Sequence, residues 1–138
     1  MKTPHQRTIL WADDDPDDLD MMHEVLRDVD HNYNIVEVHN GRKVLDYLQA
    51  IKNPDDFPCL VILDMNMPVL SGRETLVRLE KDPRYSSLSI VMFTTSNSPL
   101  DQTFCRQYGV EMITKPPSLN SLQKTVTQLL NHCQEKAV

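Results

Sequence analysis

This chain of 138 residues has little cysteine, no surplus of positive charge and no long apolar run, and each shortage removes a class of protein. The three cysteines, Cys59, Cys105 and Cys133, lie far apart with no Cys-x-x-Cys spacing, so neither a disulfide framework nor a zinc site is suggested. Reduced thiols, with Cys59 and Cys105 buried, are expected instead. The net charge of -6 disfavours a nucleic-acid backbone or an anionic membrane as a partner. The start, MKTPHQRT, lacks an apolar signal core, and no apolar run approaches the length of a membrane span. Repeats and low-complexity segments are missing, and His5, His23, His31, His39 and His132 show no ligand-like spacing. What remains is an ordinary globular composition, 40% hydrophobic and 25% charged, in a chain long enough for one core.

Short apolar runs alternate with amphipathic segments. The runs are TILWA (8–12), NIVEVH (34–39), CLVIL (59–63), SIVMF (89–93) and EMIT (111–114). The first, third and fourth are almost continuously apolar, as in strands buried on both faces; the second and fifth carry polar residues and suit sheet edges. Helical stripes lie between them: Leu19, Met22, Leu26 and Val29; Val44, Leu45, Leu48 and Ile51; Leu76 and Leu79, ended by Asp82-Pro83; Leu100, Phe104 and Tyr108; Leu119, Leu122, Val126, Leu129 and Leu130. Ser98 and Pro99 read as the cap and first residue of the fourth helix, and Gly109 as its terminator. Residues 52–58 form a polar loop. Five strand–helix alternations imply an α/β fold, a parallel sheet covered by helices on both faces. Function in such sheets collects at the carboxyl ends of the strands, near the reversal of strand order.

Those ends are polar. The first strand ends at Asp13-Asp14, the third at Asp64, the fourth at Thr94 and the fifth at Lys115. Six aspartates fall within Asp13 to Asp20, and most have a structural role. Asp15 before Pro16 reads as a helix N-cap, Asp18 stands where a capping-box acid belongs, Asp17 and Asp18 favour the positive end of the helix dipole, and Asp20 is solvated surface. Asp13 and Asp14 differ, because they meet Asp64 from a neighbouring strand. Three clustered carboxylates repel one another unless a cation joins them, and oxygen ligands of this kind suit magnesium.

Asp13-Asp14, DMNMP at 64–68 followed by Gly72, Thr94, and Lys115-Pro116 together resemble the receiver domain of bacterial two-component response regulators, in order and spacing, over about residues 7–133. The resemblance implies a doubly wound, flavodoxin-like sheet of order 2-1-3-4-5. It implies Asp64 as phosphoacceptor from the phosphohistidine of a sensor histidine kinase or phosphotransfer protein. It implies Mg2+ held by Asp13, Asp14, Asp64 and the backbone carbonyl of Asn66. Thr94 and Lys115 would bond phosphoryl oxygens, and Asn66 and Ser96 would tune hydrolysis of the acyl phosphate. A cis peptide at Lys115–Pro116 is also implied. Two departures concern output. Met112 stands where the family usually has an aromatic switch residue, so Thr94 and Met112 are the expected switch pair, and Pro117 replaces the usual aromatic after lysine-proline.

The expected protein is therefore a single receiver domain (1–138), cytoplasmic and without an output domain. It would catalyse no turnover of an external substrate and would signal by binding a downstream protein. A receiver-like module that is never phosphorylated is the main rival. An aspartate-nucleophile phosphatase is the other, but it would need an Asp-x-Asp on the first strand and a cap insertion. The sequence has neither.

Overall fold

Side chains along the first strand, β1 (Arg7–Ala12), alternate between two cores. Ile9 and Trp11 enter one, Leu10 and Ala12 the other, as the two-residue period of a strand requires. The computed structural model describes residues 7–29, 33–116 and 119–133. The remaining strands are β2 (Tyr33–Val38), β3 (Leu60–Leu63), β4 (Ile90–Thr94) and β5 (Glu111–Thr114). All pair in parallel, in the order β2-β1-β3-β4-β5. β3 is buried throughout, whereas β2 and β5 keep partly exposed residues, the edge character read from their polar positions.

The helices are α1 (Pro16–Val29), α2 (Gly41–Ala50), α3 (Gly72–Glu80), α4 (Pro99–Gln107) and α5 (Leu119–Leu130). Leu19, Met22 and Leu26 of α1 pack with Leu122, Val126 and Leu129 of α5 over Trp11, Ile62 and Phe93. Val44 and Leu48 of α2, Leu76 and Leu79 of α3 and Cys105 of α4 cover the opposite face, over Leu63 and Met92. Each face thus has its own apolar layer, which is why the central strands carry apolar residues on both sides.

Local signals set the helix ends. Asp15 accepts from Asp17 N at 3.0 Å, the capping role expected of it. Ser71 accepts from Glu74 N at 3.1 Å and its hydroxyl donates back to Glu74. Gly109 ends α4 with φ +67. Ser98 does precede α4, but its side chain makes no capping bond. The side chains of Asp18, Val29 and Leu119, and the whole of Pro117, lie outside the described residues.

One expectation gains detail here and one needs correction. The polar loop 52–58 contains a 3₁₀ turn, Pro54–Asp56, and delivers a buried Phe57 against Tyr85. One apolar residue in a polar stretch carries no periodicity, so its burial is decided by tertiary packing. The cysteines are not all free thiols: Cys59, just before β3, is bridged to Cys133, just after α5, and only Cys105 stays free and buried. These two positions are 74 residues apart in sequence. The fold makes them neighbours because α5 runs back beneath the sheet to the amino end of β3.

Candidate functional site

The strand ends meet at one edge of the sheet. Asp13 N donates to Val38 O at 3.1 Å, Asp64 N to Ala12 O at 3.1 Å, and Lys115 N to Thr94 O at 2.8 Å. Each of these three residues, directly after its strand, is thus still held by the sheet's hydrogen bonds. Lys115 Nζ donates to Asp13 Oδ2 at 2.7 Å and to Asp64 Oδ2 at 2.9 Å. Asp13 and Asp64 are 2% and 8% exposed, so little water screens these ion pairs, while Asp14 faces solvent.

Gly72 makes this arrangement possible. A Cβ there would lie 2.0 Å from the carbonyl oxygen of Asp64. The absence of a side chain lets the first turn of α3 press against the backbone of the aspartate, and Gly72 N donates to Met65 O at 3.1 Å. Between them Val69, 81% exposed, adopts φ +67, a strained conformation for a β-branched residue.

Burial raises the Asp13 carboxyl above the ordinary carboxylate range; Lys115 and the Asp15 amide oppose this, and the charge of Asp64 adds to it. Burial also works against the Lys115 ammonium. There the hydrogen bonds to Asp13 and Asp64 prevail, and its pKa stands above the ordinary lysine value. The ammonium is firmly charged, and one cation is shared by two carboxylates.

Oxygens from Asp13, Asp14 and Asp64 all lie within 4.8 Å of one another. An anionic, all-oxygen donor set with one member open to solvent fits a hard divalent cation such as magnesium. Asn66 is exposed, and its amide donates to Asp64 Oδ1 at 3.3 Å. Thr94 is fully buried at the end of β4, and its Oγ1 accepts from the amide of half-buried Ser96 at 3.2 Å.

Of the residues expected at the site, Asp13, Asp14, Asp64 and Lys115 thus form one cluster. Thr94, Asn66 and Ser96 are bonded to it or to one another. Met112 is half-buried, in register with Met92, and packs on the core shared with α2, α3 and α4. The cis bond expected at Lys115–Pro116 is a correction: the described residues contain no cis peptide. A trans bond before proline is favoured by about 0.5–1 kcal/mol, and the four-carbon lysine stem reaches both carboxylates from it.

One further group leaves no mark in the local sequence. Arg73 of α3 donates to Asp101 of α4, and the Ser96 hydroxyl donates to Asp101 Oδ2 at 2.6 Å. Arg73 and Asp101 are 28 residues apart and belong to different helices, so no local spacing marks them.

Comparison with known proteins agrees with this geometry. The response regulator receiver domain family matches residues 9–127. Response regulator Rcp1 of Synechocystis sp. (strain PCC 6803) is 27% identical over 123 residues, which cover 87% of this chain and 84% of Rcp1. A probable cyclic di-GMP phosphodiesterase of Vibrio cholerae is 29% identical over 139 residues, but the chain spans only 30% of that protein's length. Among solved structures, the phosphorylated cyanobacterial phytochrome response regulator RcpA superposes with a TM-score of 0.82 at 25% identity, covering 96% of this chain and 97% of RcpA. The Mn2+-bound form of Rcp1 gives 0.81 at 25% identity, with the same coverage. With its five-stranded order, its carboxylate–lysine cluster and a family match over most of its length, this chain belongs to the response regulator receiver domains.

Proposed function

We propose that Asp64 accepts a phosphoryl group from the phosphohistidine of a sensor histidine kinase or phosphotransfer protein, and that the modified domain signals by binding a downstream protein. One observation carries this reading: the Lys115 ammonium sits between Asp13 and Asp64, with Asp14 in the same oxygen cluster. That arrangement gives a carboxylate nucleophile, a fixed positive charge beside it and a place for a hard cation.

In the reaction an Asp64 oxygen attacks phosphorus, the bond from phosphorus to the imidazole nitrogen breaks, and its electron pair stays on the imidazole. Phosphoryl transfer depends mainly on positioning and on neutralising the equatorial oxygens. Lys115 already lies 2.9 Å from Asp64 Oδ2 and can turn from that oxygen to a phosphoryl oxygen. The Asn66 backbone N–H holds Asp64 Oδ1. Thr94 places a hydroxyl at the neighbouring strand end. Asp13, Asp14 and Asp64, with the Asn66 carbonyl, would hold magnesium, which when bound would further neutralise phosphoryl charge. The Mn2+-bound state of Rcp1 supports a divalent cation in this family.

Beyond accepting and releasing this phosphoryl group, the domain would turn over no external substrate. No helix among the described residues is long and apolar enough to cross a membrane. To test the reading, incubate the protein with a small phosphodonor and magnesium, then map the acyl phosphate. The expected result is a single modified residue, Asp64, and none in Asp64→Asn. A stoichiometric base-labile phosphate on that variant would refute it.

A further inference from the structure

The end of α5 is tied to the amino ends of four strands. Cys133 is bridged to Cys59, the residue before β3, and Arg7 of β1 donates from Nη1 to Cys133 Sγ at 3.9 Å. The Ser89 hydroxyl, just before β4, donates to the His132 carbonyl at 2.5 Å. His132 Nε2 lies 2.6 Å from Glu111 Oε2 at the start of β5. Noncovalent links thus already seat the helix, and an apolar layer on each face holds the domain together. A chain of this length needs no covalent staple to fold. Phosphoryl groups from a histidine kinase originate in ATP, in a compartment where thiols are kept reduced and disulfides are mostly transient or redox-sensing. The two sulfurs are also unequal: Cys59 is partly exposed, whereas Cys133 is buried beside the guanidinium.

We propose that Cys59–Cys133 is a thiol–disulfide exchange site, opened by a dithiol at Cys59 while Arg7 stabilises the departing Cys133 thiolate, so that the hold on the end of α5 follows the surrounding redox state. The reducing surroundings follow from the reading of Asp64 as phosphoacceptor; the unequal exposure and the guanidinium stand without it. In the first step a thiolate of the dithiol attacks Cys59 Sγ. A new S–S bond forms there, and the old one breaks with its electron pair left on Cys133 Sγ. The second thiolate then attacks the dithiol's own sulfur in the mixed disulfide and releases Cys59. Both protein thiolates take up the protons that the dithiol gave, and the dithiol leaves as a disulfide, two electrons poorer. A cation beside the leaving sulfur speeds the first step, because a more stable thiolate departs faster. Ser89, His132 and Glu111 keep the helix on the sheet once the bridge is open. The carboxylate–lysine cluster lies at the opposite ends of the strands, so its chemistry is unchanged.

The test follows opening in the parent, Arg7→Gln and Arg7→Lys, folded and without denaturant, with dithiothreitol as the dithiol. Aliquots are quenched in acid, denatured and alkylated, and thermal melts check that each variant folds. The parent should pass from one alkylated thiol, Cys105, to three, and glutathione disulfide should restore one. Arg7→Gln should open about 2- to 5-fold more slowly and Arg7→Lys close to the parent rate. In urea, where Arg7 no longer adjoins Cys133, parent and Arg7→Gln should open at one rate. With glutathione, a monothiol, the trapped mixed disulfide should map to Cys59. A bridge that opens only in urea, an Arg7→Gln variant as fast as the parent, or glutathione trapped on Cys133 overturns the exchange site. Acyl phosphate formed from a small phosphodonor is measured in both redox states, and equal yields at Asp64 are expected. Its absence from both states overturns the phosphoacceptor reading, whereas the thiol counts decide the exchange site.

Discussion

The Cys59–Cys133 bridge offers the most direct quantitative test of the fold. It ties the residue before β3 to one three positions beyond α5 and closes a span of 74 residues. Cross-linking removes denatured-state entropy of about 2.1 + 1.5R ln n cal/mol/K, which for a loop of this length is about 15 cal/mol/K, or about 4 kcal/mol at 25 °C. With a urea m-value near 2 kcal/mol/M, reduction should lower the unfolding midpoint by about 2 M. The assay is urea unfolding of the parent and of Cys133→Ala, each with and without a phosphine reductant. The parent should shift on reduction and the variant should not. Thiol titration provides an independent count. The unreduced, denatured parent should show one reactive thiol, Cys105, which is inert in the native state because burial, and then the charge of Asp101, raise its pKa. Three thiols without reductant, or a midpoint indifferent to reductant, would refute the bridge and restore the reduced cysteines expected from the sequence.

Three further perturbations probe the site. Lys115→Ala leaves Asp13 and Asp64 without their shared cation and should cost about 3–5 kcal/mol in chelator at neutral pH. Its melting temperature should then rise more with magnesium than the parent's does, and a smaller rise would mean that metal and lysine do not serve the same carboxylates. The sign with pH follows from Asp13: burial raises its folded pKa, and loss of Lys115 raises it further, so the deficit of the variant should shrink as pH falls through that raised value and vanish below the ordinary carboxylate range. Gly72→Ala forces a Cβ into the Asp64 carbonyl and should destabilise by about 1–3 kcal/mol, with slower phosphoryl acceptance than the parent; unchanged melting and acceptance would show that α3 can retreat at no cost. Val69→Asn places a residue tolerant of positive φ on the exposed loop and should stabilise by about 1 kcal/mol in thermal unfolding; a lower melting temperature would show that the Val69 side chain offsets its strain by contacts.

The strand ends were legible because they are fixed by backbone geometry. A parallel strand buried on both faces needs an apolar run, so the first polar residue after the run marks where the strand leaves the sheet. Asp13 and Asp64 are marked that way, whereas Lys115 follows an edge strand that itself carries Glu111 and Thr114; the sheet's own hydrogen bonds hold all three in place. The order of the strands has no such local mark, and came instead from the likeness to a family.

Contacts between elements obey a different rule. Whether Arg73 meets Asp101, whether Phe57 turns inward, and whether Cys133 reaches Cys59 depend on the rotation and tilt of helices packed on the sheet. A helix period records which face is apolar, and says nothing about which polar residue on its margin meets a given residue of a neighbour. The same division runs through the site. Its charged cluster stands on strand ends, so a receiver's chemistry can be read along the chain. The group that holds Ser96 stands on α3 and α4, where local sequence carries no signal.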